Sequence, residues 1–234
     1  ISQAVSALLV IRCLIKTESS YRLILKQLRI SKDKLIKMLQ IGMPAGLQGA
    51  LFSISNVLIQ SSINSFGSIA MAGSSAAANI EGFIYTAMNS FQQTALCFTR
   101  QNLGGGKHDR ITKVLRNSIL MVSFVGIVMG CGCYLFGEEL LSVYSSDPED
   151  ISYGLIRFRW IGIPYFLCGI MDALVGMLRG LGYAIVPMAV SIIGACGFRI
   201  VWIATVFARF HSLDVLFSSY GISWILTGGT HFIC

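Results

Sequence analysis

Six stretches of about 20 residues or more, each nearly free of charge, divide this chain and leave it few ways to fold. An apolar α-helix of about that length crosses the roughly 30 Å of hydrocarbon in a bilayer. The stretches run approximately over 41–66, 74–99, 114–136, 151–178, 185–208 and 216–234. Composition points the same way: 54% of residues are apolar and 12% charged, the latter about half the share of a soluble globular chain. The expected fold is therefore an all-α membrane protein, a six-helix transmembrane bundle. Residues 1–16 are apolar but too short to span, and read as the tail of a preceding transmembrane helix. The chain begins without methionine and its last apolar stretch stops at Cys234 with no polar flank, so it is expected to be a fragment. Neither end has the pattern of a cleavable signal peptide.

Charge in the loops orients the bundle. Lys16, Arg22, Lys26, Arg29, Lys32, Lys34 and Lys37 face only Glu18 and Asp33 in the loop 17–40 and its flank. Arg100, Lys107, Arg110, Lys113 and Arg116 surround the connection after the second span, against Asp109. An even number of passages separates the two loops, and excess Lys and Arg near helix ends marks the cytoplasmic face. The opposite face carries Glu138, Glu139, Asp147, Glu149 and Asp150, followed by Arg157 and Arg159, which weaken the contrast. The net charge of +7 is thus accounted for by orientation and anionic headgroups, with no nucleic-acid partner. Within the first basic loop, "SKDKLIKMLQ" places Ser31 as an N-cap and gathers Leu35, Ile36, Met38 and Leu39 toward one side, as in a helix lying in the interface.

Polar residues inside the spans are costly unless they face protein or water, so their angular placement is informative. Glu81, Tyr85, Asn89 and Gln92 fall within roughly 80° of one another on the second span. Asn56, Gln60 and Asn64 recur at four-residue spacing on the first, with Gln48 and Ser53 nearer its cytoplasmic end. Either stripe alone could bond neighbouring helices; together they predict a shared cavity. Asp172 is the second intramembrane acid and shares a face with Gly176 and Arg179, about 10 Å apart along the helix and too far for a direct ion pair. A carboxylate in such a cavity can hold a proton or a sodium ion, and its occupancy changes its charge, which is the chemistry of an ion-coupled carrier. No metal site or cofactor is expected from the seven scattered cysteines, and His108, His211 and His231 are read as solvated or interfacial. "NLGGGK" lacks the spacing of a phosphate loop and reads as a turn. No HExxH or GxSxG motif suggests an enzyme.

Three stretches, "IGMPAGLQGALFSISNVLIQSSINSFG", "FTRQNLGGGKHDR" and "MLRGLGYAIVPM", resemble in order and spacing the multidrug and toxic compound extrusion family. The matching positions are Gly42 and Pro44; Gln101, Asn102 and Gly104; and Leu178, Arg179, Gly180, Gly182 and Pro187. The resemblance implies a twelve-helix carrier of two six-helix lobes, related by a pseudo-twofold axis along the membrane normal. Residues 41–234 would be the C-terminal lobe, 17–40 the cytoplasmic inter-lobe loop, and the N-terminal lobe its missing partner. It further implies export of cationic or amphipathic small molecules by Na+ or H+ antiport across the plasma membrane, the inner membrane in a Gram-negative cell. Some members carry an acid on the seventh helix after the Gly-x-Pro; here Phe52 and Ser53 occupy that neighbourhood. Glu81 lies close to a glutamate that others carry early in the eighth helix, while Asp172 is shifted by a turn from an acid of the tenth. Rival expectations are a flippase of lipid-linked precursors with a related fold, and a non-transporting truncated membrane fragment. The topology has a direct check: in the full-length protein, a cysteine replacing Lys107 should react with a membrane-impermeant maleimide only from the cytoplasm, and one replacing Ser145 only from outside.

Overall fold

The computed structural model describes residues 2–18, 22–25 and 28–233, with backbone alone at Ser2, Lys37 and Ile41. Lys26 of the basic loop and Cys234 of the last stretch lie outside the described residues. The chain divides into two compact units, Ile1–Ile41 and Gly42–Cys234. In the first, helix α1 (Ser2–Lys16) ends where Arg22 donates from Nε to the Ile15 carbonyl, 3.2 Å, a cation at the negative end of a helix. Helix α2 (Lys32–Asn64) begins directly after Ser31, as expected, but runs unbroken through Pro44. The separate interfacial helix is therefore not found: the helix runs on through Gly42, and Pro44 does not end it here.

The second unit holds the rest of α2 and α3 (Ser68–Gly104), α4 (His108–Leu135), α5 (Gly137–Ser142), α6 (Pro148–Arg157), α7 (Tyr165–Gly180), α8 (Ile185–Ser191), α9 (Phe198–Trp202) and α10 (Leu213–Ile233). No strand occurs among the described residues. Three wider π-helical segments, Phe158–Gly162, Ile192–Gly197 and Ile203–Phe207, are spliced in, so that α8 through α9 make one continuous span to Phe207. The segment Pro148–Gly162 and α7 form another span bent by 42°. Pro164 lies at that bend, where its missing N–H and its ring interrupt the helical ladder. Helix α4 and the span from Ile185 to Phe207 are long and apolar enough to cross a membrane, and the bent pair counts as a third. Helices α2, α3 and α10 dilute their apolarity with polar residues turned inward, Ser219, Ser223, Thr227 and His231 forming such a buried row on α10.

The exterior is apolar, as a lipid-facing surface should be: Leu120, Met121, Phe124 and Val128 of α4 are all exposed. With lipid outside, helices gain by approaching closely through small residues. Ser118, Val122, Gly126 and Gly130 form the buried row of α4, and a Cβ on Gly126 would lie 2.7 Å from the Phe166 Cα. Helix α3 packs along α7 in the same manner. Gly176 faces the Gln92 backbone, and a Cβ on Gly180 would fall 2.8 Å from the Thr99 Cβ and 2.9 Å from the Leu96 carbonyl oxygen.

Two family-like glycine motifs end helices by one device. After α3, the Lys107 N–H reaches the Asn102 carbonyl and the Gly106 N–H reaches that of Leu103; after α7, Tyr183 bonds Leu178 and Gly182 bonds Arg179 in the same way. Each is a Schellman cap whose left-handed position needs glycine: Gly106 has φ 66° and Gly182 φ 102°. The expected turn at "NLGGGK" is thus a helix stop, with the special conformation at Gly106 and not Gly104. Gly180→Leu should separate α7 from α3, lowering the melting temperature of purified full-length protein by the equivalent of about 1–3 kcal/mol or more. Gly132→Ala, where a Cβ meets nothing within 4 Å, should leave it unchanged.

Candidate functional site

A cavity of about 640 Å³ opens in the second unit between α2 on one side and α3, α7, α9 and α10 on the other. That size suits a small organic molecule. Helix α2 meets the bundle through Ser55, Ile59 and Ile63, all buried, and turns Gln48, Phe52, Asn56 and Gln60 into the cleft, four residues apart on one face. Helix α3 contributes Glu81, Tyr85 and Gln92, and α7 contributes Tyr165, Cys168, Met171, Asp172 and Arg179. Tyr220 and Trp224 of α10 complete an aromatic wall, with Trp224 packed 5.3 Å from Tyr165 and 5.8 Å from Tyr220 between ring centroids.

Six of the residues expected around a shared cavity do line it: Glu81, Tyr85, Gln92, Asn56, Gln60 and Asp172. Asn64 and Asn89 do not. Asn64 is exposed a full turn beyond the cleft and accepts from Gln60 Nε2 at 3.3 Å, and Asn89 is rotated off the wall at the edge of the angular window that grouped it with Glu81. Of the motif residues, Arg179 alone lines the cleft, donating from Nη2 to Gln48 Oε1 at 2.6 Å and so tying α7 to α2.

Glu81 is not a free acid. Arg157 donates from Nε to both of its carboxylate oxygens at 3.1 Å, and from Nη2 to Oε2 at 2.8 Å. Its Nη1 reaches Ser74 Oγ at 3.0 Å, and its guanidinium stands 5.6 Å from the Phe217 ring centroid. Both partners are buried, at 5% and 8% exposure, so the clamp couples α3, α6 and α10 in a low-dielectric interior. Arg157 had been counted among the charges of the outer face. Its actual position was signalled by Gly154, Arg157, Phe158 and Ile161, which recur at helical spacing and are all buried. Asp172, by contrast, is half-buried on the cleft wall with no hydrogen-bond or ion-pair partner among the described residues. Arg199, within the apolar stretch 185–208, is a buried member of the same wall. His231 corrects another expectation: it is 2% exposed, paired with Ser191 Oγ at 3.2 Å. It follows Ser219, Ser223 and Thr227 at four-residue steps, the pattern that could have placed it inside.

The geometry defines an apolar-coated helical bundle with a polar, aromatic-lined cleft. Comparison makes the class specific. The MatE family model matches residues 44–205, and the chain belongs to the MatE family. It is 25% identical over 192 residues to the probable multidrug resistance protein YoeA of Bacillus subtilis, covering 82% of this chain and 41% of that protein. The fold is similar to that of a MATE protein solved in complex with MaL6, with TM-score 0.87 and 15% identity over 99% of this chain and 53% of the other. It is also similar to the Vibrio cholerae MATE transporter VcmN in the bent form, with TM-score 0.79 and 19% identity over 91% and 48%. The chain therefore spans less than half the length of the curated relatives it matches.

The clamp generates a prediction. Removing one member of a buried pair strands the other charge, at a cost of about 3–5 kcal/mol. Arg157→Met or Glu81→Leu alone should sharply lower the melting temperature of the full-length protein in detergent, and the double substitution should recover most of the loss. Additive losses would mean that the pair is not coupled.

Proposed function

We propose that this chain is the C-terminal lobe of a secondary active efflux transporter, which exports amphipathic or cationic compounds across the plasma membrane in exchange for Na+ or H+. The N-terminal six-helix lobe would close the open side of the cleft, and rocking of the two lobes would present it alternately to either face. The observation that carries this reading is Asp172. A carboxylate on the wall of a cavity large enough for substrate, with no partner among the described residues, is free to exchange a proton, a sodium ion or an organic cation. Glu81 supports the site at one remove, since its charge is committed to Arg157.

The aromatic wall suits the rest of such a substrate. Tyr165, Tyr220 and Trp224 offer large apolar faces with polar edges, able to hold flat amphipathic bodies and to face a cation with ring electrons. Amides from Gln48, Asn56, Gln60 and Gln92 give orientable donors and acceptors around them. Such a wall tolerates many ligands because stacking and rotatable amides impose little shape.

The test is export of a cationic fluorescent dye from cells expressing the full-length protein, under imposed sodium or proton gradients. Asp172→Asn should reduce gradient-driven export by about tenfold or more with unchanged expression, as expected when a buried charge contact of about 1.4 kcal/mol or more is lost. Export by Asp172→Asn equal to wild type under both gradients would remove Asp172 from the coupling machinery.

A further inference from the structure

We infer that Arg199 is an anion-recognising subsite of this cleft, which takes a carboxylate or phosphate group carried by an amphipathic aromatic substrate. The inference rests on the cleft being a substrate site and narrows the chemistry of what enters it. Three arginines and two carboxylates stand on the cleft wall, a surplus of one positive charge. Arg157 spends Nε, Nη1 and Nη2 on Glu81 and Ser74. Arg179 is held by Gln48. Arg199 alone keeps both terminal amino groups without an acceptor among the described residues.

Its surroundings hold that unpaired fork still. Nε donates to Ser223 Oγ at 3.1 Å, and the Ser223 hydroxyl is itself committed to the Tyr220 carbonyl at 2.8 Å, which fixes it as an acceptor. The guanidinium carbon lies 4.0 Å from the centroid of the Tyr220 ring, so one face of the ion is covered. At 3% exposure it has lost nearly all its hydration. A desolvated cation with no counter-charge is costly, and a docking anion offsets that cost through two parallel N–H···O bonds that need no further ordering of the side chain. Asp172 stands elsewhere on the same wall, with Tyr165 and Trp224 also lining it. The arrangement fits a zwitterion, whose cationic end goes to the aspartate, whose anionic end goes to Arg199 and whose flat body lies on the rings.

Rhodamine 6G, a cationic ethyl ester, and its free acid, a zwitterion with the same ring system, differ only in the group at issue. Binding of each to purified full-length protein is read by fluorescence anisotropy. Arg199→Gln should raise the Kd of the free acid by about tenfold or more and leave the ester within about twofold, with Arg199→Lys intermediate. Equal losses for both dyes, or no loss for the free acid, would overturn the inference. So would displacement of the free acid by phosphatidylglycerol but not by a soluble aromatic carboxylate, which would assign the fork to a bilayer phosphate. Export of the same pair from cells separates this from the function proposed above. Selective binding with no gradient-driven export of either dye supports the subsite and defeats the efflux reading, whereas export of both without selective binding does the reverse.

Discussion

A polar group at membrane depth is costly without a partner, and the architecture follows from which groups find one. Lipid offers no hydrogen bonds, so the backbone folds into helices, the apolar side chains face outward, and polar side chains collect where helices meet. The Arg157–Glu81–Ser74 clamp is the strongest instance. It satisfies a full carboxylate and most of a guanidinium between α3 and α6, and it removes one charge of each sign from those the neighbouring cleft can offer a ligand.

The same constraint explains the role of small residues. Without water to drive helices together, contact depends on how closely backbones approach, and Gly126, Gly176 and Gly180 stand where a side chain would collide with the next helix. These contacts build a rigid wall from α3, α4 and α7. Helix α2 is attached differently, by three buried residues and one side-chain hydrogen bond to Arg179. The cleft exists because one wall is packed and the other is only pinned.

Helix count and most of the cleft lining were legible in the sequence, because charge-free runs and polar stripes at helical spacing are one-dimensional records of burial. Glu81, Tyr85, Gln92, Asn56 and Gln60 were found that way. What periodicity could not supply was partnership. Arg157 lies 76 positions from Glu81, and nothing in the spacing of either distinguishes a paired charge from a free one. Proximity to a helix end made Arg157 look like a flank and His231 look interfacial, although both carry buried neighbours at helical spacing. Ser219 and Ser223 on α10 were equally quiet, since their hydroxyls bond their own helix and leave little trace in hydropathy.

The wide helical turns on either side of Arg199 carry a consequence for how this cleft changes through descent. A π-helical segment accommodates an additional residue relative to regular α winding, so losing one residue from 192–197 could tighten that segment while leaving its flanks helical. Six residues at the wide winding and five at α winding turn the chain through nearly the same angle, so the register of the flanks would be kept. Arg199 would stay on the wall, whereas the same loss from the regular winding of α8 would turn it by about 100° relative to the start of the helix and exchange the cleft's surplus of positive charge for neutrality, with every other lining residue retained. Ligand preference in such a lobe can thus be inherited or lost through insertions and deletions remote from the ligand, and comparing only the lining residues of two relatives would miss the change.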